Sequence, residues 1–118
     1  MTTPEYIQLS QKSLQDAETL LGQGDYHQAS EKFWGAAAIM VKAIAERRGW
    51  PHDGHRELHR VISRLTQETG RRDLIPLFGL ANALHQNFYE DWLTAEEVTV
   101  FAASIRELVD ELADMVAT

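Results

Sequence analysis

Apolar residues recur three to four positions apart in five successive stretches of the chain, and no stretch keeps the period-two alternation of a strand. Thr3 followed by Pro4 reads as an N-cap with proline at the first helical position. Tyr6, Leu9, Ser13, Ala17, Leu20 and Leu21 then share one face until Gly22 and Gly24 stop the run. Asp25 opens a second helix, with Gln28 as its reciprocal capping partner and Ala29, Phe33, Ala36, Ala37, Met40 and Ile44 as its stripe. Gly49, Trp50 and Pro51 end it. Asp53 is the expected cap of a third helix, whose stripe of Leu58, Val61, Ile62 and Leu65 closes at Gly70. Asp73 starts a fourth, with Leu74, Leu77, Phe78, Ala81, Leu84 and Phe88 along one side. Thr94 and Glu97 form a capping box for a fifth, where Leu93 is placed to staple against Val98. The stripe of that helix is Val98, Phe101, Ile105, Leu108, Leu112 and Met115.

Short intervals between these stretches make neighbouring helices antiparallel. The expected fold is all-α: an up-and-down antiparallel bundle of four long helices plus a fifth segment, short or continuous with a neighbour, in a single domain spanning 1–118. Residues 17–37 look like half a tetratricopeptide repeat, but no second copy follows, and a solenoid needs several stacked units. The small-residue run Gly35 to Ala38 more simply predicts a close approach by another helix.

A length of 118 residues with 44% hydrophobic and 25% charged side chains suits a core that needs no covalent staples. The absence of cysteine excludes a disulfide framework and thiolate chemistry. MTTPEYIQLSQK lacks a secretory pattern and no window approaches about 18 apolar residues, so the expected setting is cytoplasmic, without a membrane role. A net charge of −7 argues against nucleic-acid binding over the whole surface. The charge is uneven, however. Residues 42–72 carry eight of the eleven basic residues (Lys42, Arg47, Arg48, Arg56, Arg60, Arg64, Arg71 and Arg72) and only four acids.

Within that segment, His55 and His59 stand at i,i+4 with His52 just ahead, a spacing that could face a metal. The glutamate of a zinc-protease motif is missing, because Arg56 follows His55, and Arg56 and Arg60 would repel a cation. No metal and no cofactor are expected. Arg56, Arg60 and Arg64 instead recur every fourth residue, with Arg47, Arg48 and the histidines close by, and guanidinium forks with imidazole donors suit phosphate oxygens. The alternative is a solvated face answered by Glu57 and Glu68. In ALHQNFYEDW, Asn82, His85, Tyr89 and Trp92 fall on one helical edge beside the apolar Leu84 and Phe88. That edge is either a site or an aromatic lid with its rings buried at the end of the bundle. No serine triad is readable.

YHQASEKFWGAAAIMVKAIAERRGWPH, the basic helix after it and ALHQNFYEDWLTAEEV together resemble the small archaeal and bacterial PaREP-type proteins, which are placed with the HEPN domains (higher eukaryote and prokaryote nucleotide-binding). The resemblance covers about residues 5–115 and implies a four- or five-helix bundle, usually a dimer. Some HEPN proteins are metal-independent endoribonucleases and toxins, paired with a nucleotidyltransferase antitoxin. Their signature is an arginine, four to six residues, then a histidine near the fourth helix. Here the positions required before His85 hold Phe78, Gly79 and Leu80. Arg47 to His52 and Arg48 to His55 match the spacing, but in the connection between the second and third helices.

The expectation is therefore a HEPN-like module, a homodimer through the small-residue run of helix 2 or the acidic last helix, without an intact ribonuclease motif. Its basic face would bind a nucleotide, RNA or a cognate partner such as a nucleotidyltransferase, through Arg48, His52, His55, Arg56, His59, Arg60, Asn82 and Tyr89. One alternative is a toxin-like endoribonuclease with His85 as its catalytic residue and a stripe arginine on the phosphate. Another is a helical protein-interaction adaptor.

Overall fold

The computed structural model describes residues 1–117. Five separate helices run in order: α1 (Thr3–Gly22), α2 (Tyr26–Arg48), α3 (His55–Thr69), α4 (Leu74–Glu90) and α5 (Ala95–Val116). None is continuous with its neighbour, and α3 is the shortest at 15 residues. The all-α bundle is as expected. Its centre is α2, which touches each of the other four helices. The stripe of α2 is buried throughout, from Ala29 and Phe33 to Ile44. Leu58, Val61, Ile62 and Leu65 of α3, Phe78 and Leu84 of α4, and Ile105, Leu108 and Leu112 of α5 complete one core.

Capping follows local hydrogen-bond geometry and corrects two boundaries. The cap of α1 is Thr2, not Thr3: its Oγ1 accepts from Glu5 N–H and Glu5 Oε1 accepts from Thr2 N–H at 2.8 Å. The box needs an acid three residues on, which Thr2 has and Thr3 lacks. Gly54 in extended backbone, not Asp53, precedes α3 and offers no side-chain cap. Asp73 sits in helical geometry and caps nothing, because its carboxylate is held by Arg71 at 2.7 and 3.0 Å. Thr94 and Glu97 do form their box. Asp25 accepts from Gln28 N–H, and Gly49 closes α2 in the left-handed conformation with φ 71.

The small-residue run of α2 is where α1 comes closest. Ser10 Oγ donates to Ala36 O at 2.6 Å and Ser13 Oγ to Lys32 O at 2.8 Å. A Cβ on Gly35 would meet Ser13 Oγ at 2.9 Å and would have to push that hydroxyl from its hydrogen bond to Lys32 O. Ser10 is fully buried while Leu9, expected in the stripe, is 43% exposed. Ser13 and Ala17 are buried as expected, and Ser10 takes the place of Leu9 because the seam is sealed by small side chains. Ala36, Ala37 and Ala38 are buried within the subunit, which removes this run as a dimer contact.

Candidate active or nucleotide-binding cluster

Three helices bring rings to one place. Trp34 and Glu31 lie one turn apart on α2, His55 and His59 one turn apart on the first turns of α3, and Phe78, Asn82, His85 and Tyr89 follow at steps of four, three and four on α4. These spacings put each set on one helical face. Trp34 and two histidines form a triangle of rings: the His55 ring stacks on the indole at 4.7 Å between centroids, and the His85 ring sits at 4.9 Å from it. The two imidazoles are themselves 5.1 Å apart. Phe78 supports the group from below, 5.4 Å from Trp34 and edge-on to His59 at 4.9 Å. Tyr89 meets His85 edge-on at 5.3 Å.

Hydrogen bonds orient both central rings. His85 Nδ1–H donates to Glu31 Oε1 at 2.8 Å, which leaves Nε2 as the free ring nitrogen. His55 Nε2–H donates to Asn82 Oδ1 at 2.8 Å, which leaves Nδ1 free. Each imidazole thus has a partner that fixes its tautomer and one nitrogen to spare. His59 lies below the ordinary imidazole range, first because burial penalises its charged form and second because of His55. A groove of about 200 Å³ runs past Trp34, Lys42, Asp53, Gly54, His55 and His85. Lys42 lines this recess with the two imidazoles and Asp53, and forms no ion pair among the described residues. No group of three histidine or carboxylate donors is placed to hold a metal ion among the described residues; the His55 and His59 ring centroids are 6.0 Å apart.

The other residues singled out in the sequence divide by the side of α3 they occupy. At about 100° per residue, Arg56 and Arg60 fall on the exposed ridge, away from Leu58, Val61 and Ile62. Arg64 drifts to the far flank, where its guanidinium lies 4.0 Å from the Trp50 ring centroid. Arg48 is on that flank too, 5.0 Å from Trp50 and paired with Glu68. His52 donates to Trp50 O at 2.8 Å, lies 3.2 Å from Glu46 and meets the edge of Tyr6, apart from the other histidines. The expected single basic face is therefore two flanks and a ridge. His55, His59, Asn82, His85 and Tyr89 come together; Arg48 and His52 do not join them.

ALHQNFYEDW divides between exposed rings and a buried amide. Tyr89 and Trp92 are 70% and 49% exposed, which rules out a lid of buried rings. Asn87, overlooked in the sequence, is 2% exposed and fully engaged. Its Nδ2 donates to Ser30 Oγ at 3.0 Å and its Oδ1 accepts from Trp92 N–H and Leu93 N–H at 2.9 and 2.8 Å. It shapes the turn into α5, where Asp91 takes a left-handed φ of 51. Trp34, Glu31 and Lys42 were also overlooked. A tryptophan in an alanine-rich stripe reads as core, and only the approach of α3 and α4 gives it a second role.

A sequence profile of the archaeal PaREP1/PaREP8 family matches residues 5–109. The crystal structure of a protein from Sulfolobus solfataricus superposes with a TM-score of 0.79 at 23% identity, over 89% of this chain and 93% of that one. At that identity the likeness concerns the fold. No functionally curated protein matches the sequence. No helix among the described residues is long and apolar enough to cross a membrane.

Proposed function

The chain belongs to the archaeal PaREP1/PaREP8 family, and from that placement and the geometry of the groove we propose that it is a HEPN-like module that binds a nucleotide or the end of an RNA between α2, α3 and α4. The observation that carries this is Trp34 flanked by His55 and His85, each ring fixed by a partner and each with a free nitrogen, beside the unpaired Lys42. An ammonium and two imidazoles suit a phosphate, and the rings that line the recess suit a base. The test is thermal melting with the four ribonucleoside monophosphates. A ligand at 100 times its Kd should raise stability by about 2.7 kcal/mol in the wild type, and His55→Ala and Lys42→Ala should abolish the shift. Melting that no nucleotide or RNA moves would favour an adaptor that recognises protein through the exposed Tyr89 and Trp92.

The contact between Glu31 and His85 favours a second reading, metal-independent RNA cleavage. His85 Nε2 would take the ribose 2′-hydroxyl proton as that oxygen attacks phosphorus. His55, protonated at Nδ1, would give a proton to the departing 5′-oxygen, leaving a 2′,3′-cyclic phosphate. Lys42, which lines the same recess, would take the role of the stripe arginine on the phosphate. Cleavage of RNA in chelator by the wild type, lost in both His85→Ala and Glu31→Gln, supports this reading; intact RNA with every variant removes it. The module is further proposed to be a homodimer or to pair with a nucleotidyltransferase. With the alanine run covered, α5 is left as the contact, through its exposed Glu107, Asp110 and Asp114. Sedimentation giving a monomer at micromolar concentration in low and high salt alike would remove the homodimer.

A further inference from the structure

The far flank of α3 carries a second recess of about 230 Å³, between Trp50, Pro51, Val61 and the side chains of Glu57, Arg60 and Arg64. Its chemistry differs from that of the histidine groove. The Arg64 guanidinium lies over the indole of Trp50, and neither Arg64 nor Arg60 has an acidic partner among the described residues. A guanidinium stacked on a ring keeps its in-plane N–H donors available for phosphate, and with Arg64 and Arg48 both over the Trp50 ring, the outer face of the Arg64 guanidinium is the plane on which a base can stack. Arg56 and Arg60 stand on the ridge between the two recesses, and the one acid near Arg56 is its neighbour Glu57, at 3.5 Å.

We propose that single-stranded RNA straddles α3, one base resting in the Trp34–His55–His85 groove and another against Trp50 and Arg64, with the intervening phosphates on Arg56 and Arg60. This rests on the nucleotide-binding reading above and deepens it, by adding a second base contact and a phosphate path across α3. A helix with its side chains is about 10–12 Å across, so a mononucleotide in one recess cannot reach the other and a short oligonucleotide can. Charge points the same way. The segment 42–72 is rich in base on a chain of net charge −7, so this is the one stretch whose local field favours a polyanion.

The test compares UMP with oligouridylates of two, four and six nucleotides by fluorescence titration. Affinity should rise by about ten-fold or more between UMP and the hexamer and level off once the ridge is spanned. Arg64→Ala should weaken the hexamer about five-fold or more, and Arg60→Ala should lower the slope of log affinity against log salt by about 0.7. Both variants should weaken UMP far less than they weaken the hexamer. Arg60 is exposed and unpaired, so its variant should melt with the wild type, which guards against a folding defect. A hexamer no tighter than UMP, or insensitive to Arg60→Ala, overturns the straddling path while the nucleotide site stands. Failure of UMP and every oligomer to bind overturns both. Equal competition by polyglutamate of matched charge overturns the base contacts, because that polymer has no bases to stack.

Discussion

Polar side chains lie between helices in two regions of this protein, and they do opposite things. Where α1 meets α2, Ser10 and Ser13 give their hydroxyl protons to Ala36 O and Lys32 O at a spacing so tight that a Cβ on Gly35 would crowd the Ser13 hydroxyl. These donors are spent on the fold. Where α2 meets α3 and α4, His55 and His85 each spend one nitrogen on Asn82 or Glu31 and keep the other. That seam is wide enough for rings and stays partly open to solvent. A polar group between helices is structural when its hydrogen-bonding capacity is exhausted, and is a candidate for chemistry when capacity is left over beside a recess.

The sharpest way to break the comparison lies on α4 itself, where Asn87 is two residues from His85 yet belongs to the spent class. Asn87→Ala strands two backbone N–H groups and should cost about 2–4 kcal/mol in urea unfolding, among the larger single-residue effects. A cost below about 1 kcal/mol would show that water serves the turn equally well. Ser10→Leu should force α1 off α2 and cost about 1–3 kcal/mol by overpacking. On the open seam, His55→Ala should change stability by less than about 1 kcal/mol, although it removes the ring stacked on Trp34, and should cost nucleotide affinity instead. A large loss of stability there would reclassify the histidines as structural.

The smallest effect is on pH. His59 titrates below its unfolded value of about 6.5, because burial and His55 disfavour its charged form. The native state then binds fewer protons than the unfolded one as pH falls below about 6.5. The contribution of His59 is therefore fully present above that value and is lost as pH falls through the lowered native pKa. His59→Gln should flatten this part of the stability profile. An unchanged slope between wild type and variant would contradict the assignment.

The five helices were readable because stripes, caps and stop signals agree, as at Thr94–Glu97 and Gly49. The misplacements have local causes. Thr2 outcompetes Thr3 through the reach of Glu5, and Gly54 in extended backbone displaces Asp53 at the start of α3. Leu9 was misassigned because a seam of serines and alanines has no strong apolar period to read. Of the site, the edge of Asn82, His85 and Tyr89 could be phased on its own helix, as could the i,i+4 pair His55 and His59. Their meeting at Trp34 could not be, since it depends on how α3 and α4 lean against α2. The basic stripe misled for a related reason: a step of four residues drifts around a 3.6-residue helix and carries Arg64 to the flank opposite the histidines.

The most direct test of the open seam is an NMR titration of the histidine side chains with UMP. The account predicts that the imidazole signals of His55 and His85 shift together with the indole N–H of Trp34, while those of His52, held by Trp50 O and Glu46, stay in place. Movement of His52 alone, or of no histidine at millimolar UMP, would contradict it.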